Sequence, residues 1–222
     1  MSTIEGLDKK IQDGYVYSLE GNFREAFRIW KNAWEIFIST AKENGVKSVE
    51  KFQKDFELED RVELWLEDFK SSFMQFVQID KENAKIIDAI CDEYLNQFGE
   101  NESLEKVRSV YKLKAEALFI EGNKKESEKV YLEYLKKDSS WTDGWISWTD
   151  CWLELGEGFK DDYKKALNIL NTAIKYSKKN ETKEVYERLN FIYEKMGDED
   201  KAAEMKQRVM DFMMDESTGE FF

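Results

Sequence analysis

Tryptophan and carboxylate are the side chains whose types and spacing come nearest to chemistry. Trp145, Trp148 and Trp152 recur at helical spacing, Trp141 precedes them, and Asp143, Asp150 and Glu154 lie among them. In some helical enzymes, acid pairs beside tryptophan-lined clefts cleave glycosidic bonds, one carboxyl protonating the leaving group while the other acts as base or nucleophile. Acids one helical turn apart are more often a hydrated face, and 222 residues build only part of the closed helical barrel those enzymes use. Histidine is absent, which removes the usual general base and the commonest zinc ligand. Cys91 and Cys151 stand alone in helical segments and read as reduced, buried thiols. With no phosphate loop or nucleophile elbow, the sequence predicts no catalytic residue, no metal and no cofactor. The tryptophans remain as packing groups, or as the wall of a small-ligand pocket or enzyme site centred on residues 141–154.

The elements that must position them are helices. Proline is absent and glycine numbers only 11, so little opposes long helices, and the class is all-α. Gly21-Asn22, Gly122-Asn123 and Gly197-Asp198 each separate two amphipathic stretches. Glycine accepts the left-handed conformation that ends one helix, and Asn or Asp caps the next. Glu25 and Glu126 fall three residues after Asn22 and Asn123, the spacing of a capping box.

Around Gly21 the frame holds Gly14 and Tyr17 before the turn, then Ala26, Trp30 and Ala33 after it. That order of small and aromatic residues resembles a tetratricopeptide repeat, in which small residues let paired helices approach and aromatics fill the gap to the next pair. Gly122 is framed by Tyr111, Ala115, Leu118, Ser127, Tyr131 and Tyr134. Gly156 is preceded by Trp145, Trp148, Thr149 and Trp152 and followed, after an insertion at 157–161, by Ala166, Leu170 and Ala173. Around Gly197 stand Tyr186, Leu189, Asn190, Tyr193, Ala202 and Val209, with Lys206 where an aromatic is expected, as suits an end repeat. Gly122 and Gly156 are 34 residues apart, which is the tetratricopeptide period.

Residues 40–100 follow the frame less closely. Gly45 and Ser48 read as a stop and restart, and apolar periodicity then predicts two long helices, at about 58–77 and 80–98. The whole reads as a right-handed superhelical array of about ten or eleven helices. It forms one domain over residues 1–214, with a weak division at 99–102, followed by a flexible acidic tail at 215–222 ending in Phe221 and Phe222. Those phenylalanines also suit docking into a groove of the same chain or of a second copy, so oligomerisation is admitted.

The segment from Lys137 to Glu154, KDSSWTDGWISWTDCWLE, together with the N-terminal Gly-Asn-Phe and its following Ala and Trp, resembles the helical-repeat body of bacterial SEC-C motif-associated proteins. The SEC-C zinc motif itself is a compact cluster of Cys and His that this sequence lacks. The resemblance therefore implies a repeat body used in protein association and carries over no metal.

In a tetratricopeptide frame the first helix of each pair lines the concave face, and residues ten and six before each glycine point into it. This gives a ladder of Ile11 and Tyr15, Lys112 and Glu116, Ile146 and Asp150, and Glu187 and Phe191, with Trp141, outside the frame, as an exposed anchor. Apolar surfaces mixed with carboxylates suit a protein or peptide segment bearing hydrophobic and basic anchors. The leading expectation is a scaffold that binds such a partner. A net charge of −13, from 47 acidic and 34 basic residues, disfavours nucleic acid, including a repeat-type RNA reader, and anionic membrane. With no membrane-spanning run or export signal visible, the reading is a cytoplasmic protein in which the sequons at Asn101 and Asn180 are incidental.

Overall fold

The computed structural model describes residues 4–156, 158 and 160–218. Among them it places twelve α-helices, one short 3-10 turn and no strand. In chain order the helices are α1 (Glu5–Leu19), α2 (Phe23–Glu43), α3 (Val49–Phe56), α4 (Val62–Ser71), α5 (Phe73–Ile79) and α6 (Asn83–Phe98). They continue as α7 (Leu104–Ile120), α8 (Lys124–Lys137), α9 (Thr142–Leu153), α10 (Lys160–Tyr176), α11 (Lys183–Met196) and α12 (Glu199–Thr218), with the 3-10 turn at Lys178–Asn180. Helix α12 runs into the segment expected as a tail, while Phe221 and Phe222 lie outside the described residues. No described helix is long and apolar enough to cross a membrane.

The helix endings share one chemistry. Gly21, Gly45, Gly122 and Gly197 all have φ between +63° and +89°, a region open to glycine without steric cost. At each, the N–H of the next residue reaches back to a carbonyl five positions earlier: Asn22 to Tyr17, Val46 to Ala41, Asn123 to Leu118 and Asp198 to Tyr193, at 2.8–3.0 Å. This is the Schellman closure, which satisfies the last carbonyls of a helix. It also corrects the expected capping boxes. The Asn22 and Asn123 N–H groups are already donated backwards, so the Glu25 and Glu126 carboxylates turn instead to Arg28 and Lys129, at 2.7 and 2.6 Å. The forward half of the cap survives where Asn22 accepts from the Glu25 N–H and Asp198 from the Lys201 N–H. In the third turn of the expected series the left-handed glycine is Gly158, with φ +73°, and not Gly156.

The chain divides into two compact units, residues 1–123 and 124–222. In the first, α1 packs on α2, α2 on α5 and α6, and α6 on α7 across the 99–103 connection. The stretch expected as one helix over 58–77 is two, α4 and α5, joined by a bend at Ser72 (φ −83°, ψ 1°). The apolar spacing runs straight through that bend because its purpose is tertiary. It wraps Phe69 and Phe76 around Phe27 and Trp30, with ring centroids 4.8–6.1 Å apart.

In the second unit α9 packs on α8 and α10, α10 on α11, and α11 on α12. Ala166 and Leu170 of α10 and Val185, Leu189 and Ile192 of α11 form its core, all essentially buried. Cys91 in the first unit and Cys151 in the second are both buried, and neither is in a disulfide.

Candidate functional site

The structure spends several of the expected groove residues on the fold. Ile11 is fully buried in the core, and its carbonyl accepts a hydrogen bond from the Trp30 indole N–H at 3.1 Å. Tyr15 donates its hydroxyl to Asp68 at 2.6 Å and meets Trp30 edge-on; burial, then the negative Asp68, pushes its pKa up. Trp141, expected to be an exposed anchor, is only 6% exposed. Its ring lies in the space that a side chain on Gly144 would fill, and it meets Tyr134 edge-on at 5.3 Å. Asp150 accepts two hydrogen bonds from Arg188, at 2.7 and 2.6 Å, a bidentate pair linking α9 to α11.

The other ladder residues keep more of their surface. Lys112 and Glu116 approach each other to 3.9 Å along α7. Ile146 is half-buried against the second core, and Glu187 reaches Lys183 at 3.9 Å. Phe191 is 40% exposed, with Lys195 5.3 Å from its ring centre and Tyr163 edge-on to it.

A concavity with room for a ligand lies on the other side of α9. One α-helical residue turns about 100°, so Trp145 and Trp148 point away from Ile146 and Asp150. They form one wall of a cleft of about 340 Å³ whose other walls are Leu132, Leu135 and Lys136 of α8 and Lys165, Asn168, Ile169, Thr172 and Tyr176 of α10. The α10 residues follow the spacing of a single helix face, and the opposite face, through Ala166, Leu170 and Ala173, is buried. In the first unit, a cavity bounded by Trp34, Phe69, Ile87 and Tyr94 offers about 30 Å³, room for little more than a water molecule, and a more polar hollow of about 400 Å³ opens beside Asp13, Tyr17 and Arg28.

Four rings stack in sequence along the cleft wall. Tyr131 lies on Trp148 at 5.8 Å and 13°, Trp148 on Trp145 at 6.0 Å and 25°, and Trp145 on Tyr176 at 5.8 Å and 23°. Each tryptophan thus has a near-parallel, offset ring on two sides. The outermost ring, Tyr176, is 65% exposed.

Polar contacts fix the stack from below. The Trp145 indole N–H donates to the Ser139 carbonyl at 3.0 Å. Asn180, fully buried, donates to the Ser139 and Ala173 carbonyls, both at 2.8 Å, and accepts from the Thr142 hydroxyl at 2.9 Å. One amide thus ties the start of α9 to the end of α10. The Trp148 indole N–H is buried and has no acceptor.

Sequence reasoning located the tryptophans but missed Lys136, Lys165, Thr172 and Tyr176. The available signal was the α10 stripe itself, which reads as a partly polar face until α8 and α9 are set beside it. No protein-family model, curated protein or solved structure matches the chain.

Proposed function

We propose that the chain is a tetratricopeptide-like helical-repeat adaptor, built from helix pairs in a right-handed α-solenoid, that holds a segment of another polypeptide in the tryptophan cleft of its second unit. The pairs α1/α2, α9/α10 and α11/α12 and the repeated glycine closures support the repeat reading, in keeping with the likeness to SEC-C motif-associated proteins. The cleft carries the functional reading. Its α10 wall runs from Lys165 to Tyr176, a rise of about 16 Å, matching about five residues of extended chain at about 3.3 Å each. Exposed Leu132 and Tyr176 provide apolar contact on facing walls, the arrangement by which anchor side chains are gripped.

Peptide arrays probed with the folded protein test the reading. Thr172→Trp fills the cleft from a half-buried position, and Leu132→Ala removes apolar surface from its rim. Both variants should lose the peptides that the parent retains while keeping its helical circular dichroism. Retention of the same peptides by Thr172→Trp would refute the cleft as the receptor.

A small planar ligand is the second reading, favoured by a cleft size within the range of small-molecule pockets, roughly 300–1,000 Å³. Ligand screening by thermal shift separates the two, since a specific small molecule stabilises the folded state by mass action.

A further inference from the structure

The charge lining the cleft is opposite to that of the protein as a whole. The chain carries 47 acidic residues and a net charge of −13, yet among the described residues no Asp or Glu lines this cleft, while Lys136 and Lys165 do. Lys165 is held at 2.6 Å by Glu128, a residue outside the lining. Lys136 forms no ion pair among the described residues. The remaining polar lining is neutral, from Ser139, Asn168 and Thr172. The Asn168 amide can donate to a carboxylate from there.

The offset stacking of Trp145 and Trp148 with Tyr131 and Tyr176 occupies part of the π surface that a cation would seek. Carboxylates of this chain are thus kept off the walls, and every fixed charge that remains is positive. We infer that the occupant is an acidic polypeptide segment, an aromatic or branched aliphatic anchor with Asp or Glu beside it, its carboxylate received by Lys136 and Lys165. This rests on the cleft as the receptor. It reverses the basic partner expected from the ladder carboxylates, because Lys136, with Lys165 shared with Glu128, acts within a few ångströms while the acidic surface is screened over about 8 Å at physiological salt.

Fluorescence polarisation of three labelled peptides tests it: a phenylalanine flanked by glutamates, the same peptide with lysines, and the same with glutamines. The acidic peptide should bind tightest. Lys136→Glu and Lys165→Glu should each weaken it by about three- to tenfold, in keeping with partly exposed ion pairs, and Lys136→Glu should improve the lysine peptide. Binding of the acidic peptide should also fall as salt rises. Preference for the lysine peptide, abolished by Thr172→Trp, would overturn the charge assignment while leaving the cleft as receptor. Binding of all three that is indifferent to Thr172→Trp would instead remove the cleft. Free indole-3-acetate binding as tightly as the acidic peptide, and displaced by it, would overturn the polypeptide in favour of a small aromatic acid.

Discussion

Gly14 and Trp30 occupy a single space: a Cβ on Gly14 would fall within the Trp30 indole, whose N–H is anchored to the Ile11 carbonyl one turn earlier on α1. Helix α1 therefore approaches α2 as closely as a bare backbone permits. Glycine inside a helix normally costs about 0.5–1 kcal/mol relative to alanine, but here the sign reverses. Gly14→Ala should destabilise the protein by about 1–3 kcal/mol through overpacking. Gly6→Ala on the same helix, where the nearest atom is 4.0 Å away, should be neutral or stabilising. Urea denaturation of the two variants checks the pair, and a neutral Gly14→Ala would mean the indole can move aside.

Asn180 is the polar keystone of the second unit. Asn180→Ala abolishes three hydrogen bonds, while the Ser139 and Ala173 carbonyls keep the Trp145 indole and the Ser177 N–H as donors, for an expected loss of about 2–3 kcal/mol. Asn180→Asp should be at least as harmful at neutral pH, because it turns a carboxylate toward the Ser139 and Ala173 carbonyls. It should recover in part as acid protonates it. Loss of the Asn180 contacts should also disturb the near-ultraviolet circular dichroism of the tryptophan stack before global unfolding.

Asp150 and Arg188 make a partly exposed pair, with 23% and 28% of their side-chain surface accessible. Asp150 raises the pKa of Arg188 through its hydrogen bonds. Allowing for solvent screening, a double-mutant cycle should return a coupling of about 1 kcal/mol. Peptide binding should be unchanged by Asp150→Ala. Lost binding without lost stability would return the receptor to the face of α9 on which Ile146 lies.

Two carboxylates of the first unit should pull the pH profile in opposite directions. The ion pair with Lys106 holds Glu63 below its ordinary range, so its contribution is present above the unfolded value and is lost as pH falls through the folded one. Asp60 is raised by burial and by the nearby Asp8 and Glu59, against a lowering hydrogen bond from Gln12, so its ionisation opposes folding. Asp60→Asn should therefore raise the melting temperature at pH 7, and its advantage should shrink as pH falls through the raised folded value and vanish below the ordinary aspartate range of about 4. Glu63→Gln should do the reverse, lowering the melting temperature at pH 7 and matching the parent in acid. Thermal melts across that range decide both.

What could be read from the sequence was local. Gly21, Gly122 and Gly197 mark helix ends because the left-handed conformation is a property of one residue and its immediate neighbours. The bend at Ser72 was hidden since Leu64, Phe69, Phe73 and Phe76 continue a helical period through it, and only the rings of Phe27 and Trp30 decide where they point. Trp141 falls outside the repeat frame and is nevertheless buried, because its ring uses the vacancy at Gly144 and the edge of Tyr134. Asp150 looked like a groove acid until Arg188, 38 residues away, was seen beside it. The cleft needs three helices at once, so no spacing along one of them announces it.

Each unit also contains one silent thiol. Cys91 and Cys151 are both about 1% exposed, and burial pushes the Cys91 thiol up toward its unreactive protonated form. An alkylating reagent can reach either sulfur only during an opening of the surrounding helices, so the rate at which each is labelled measures the opening free energy of its own unit. Replacing one cysteine with alanine turns the other into a private clock for half of the molecule. A ligand seated against Trp148 should slow the clock at Cys151 and leave that at Cys91 running as before.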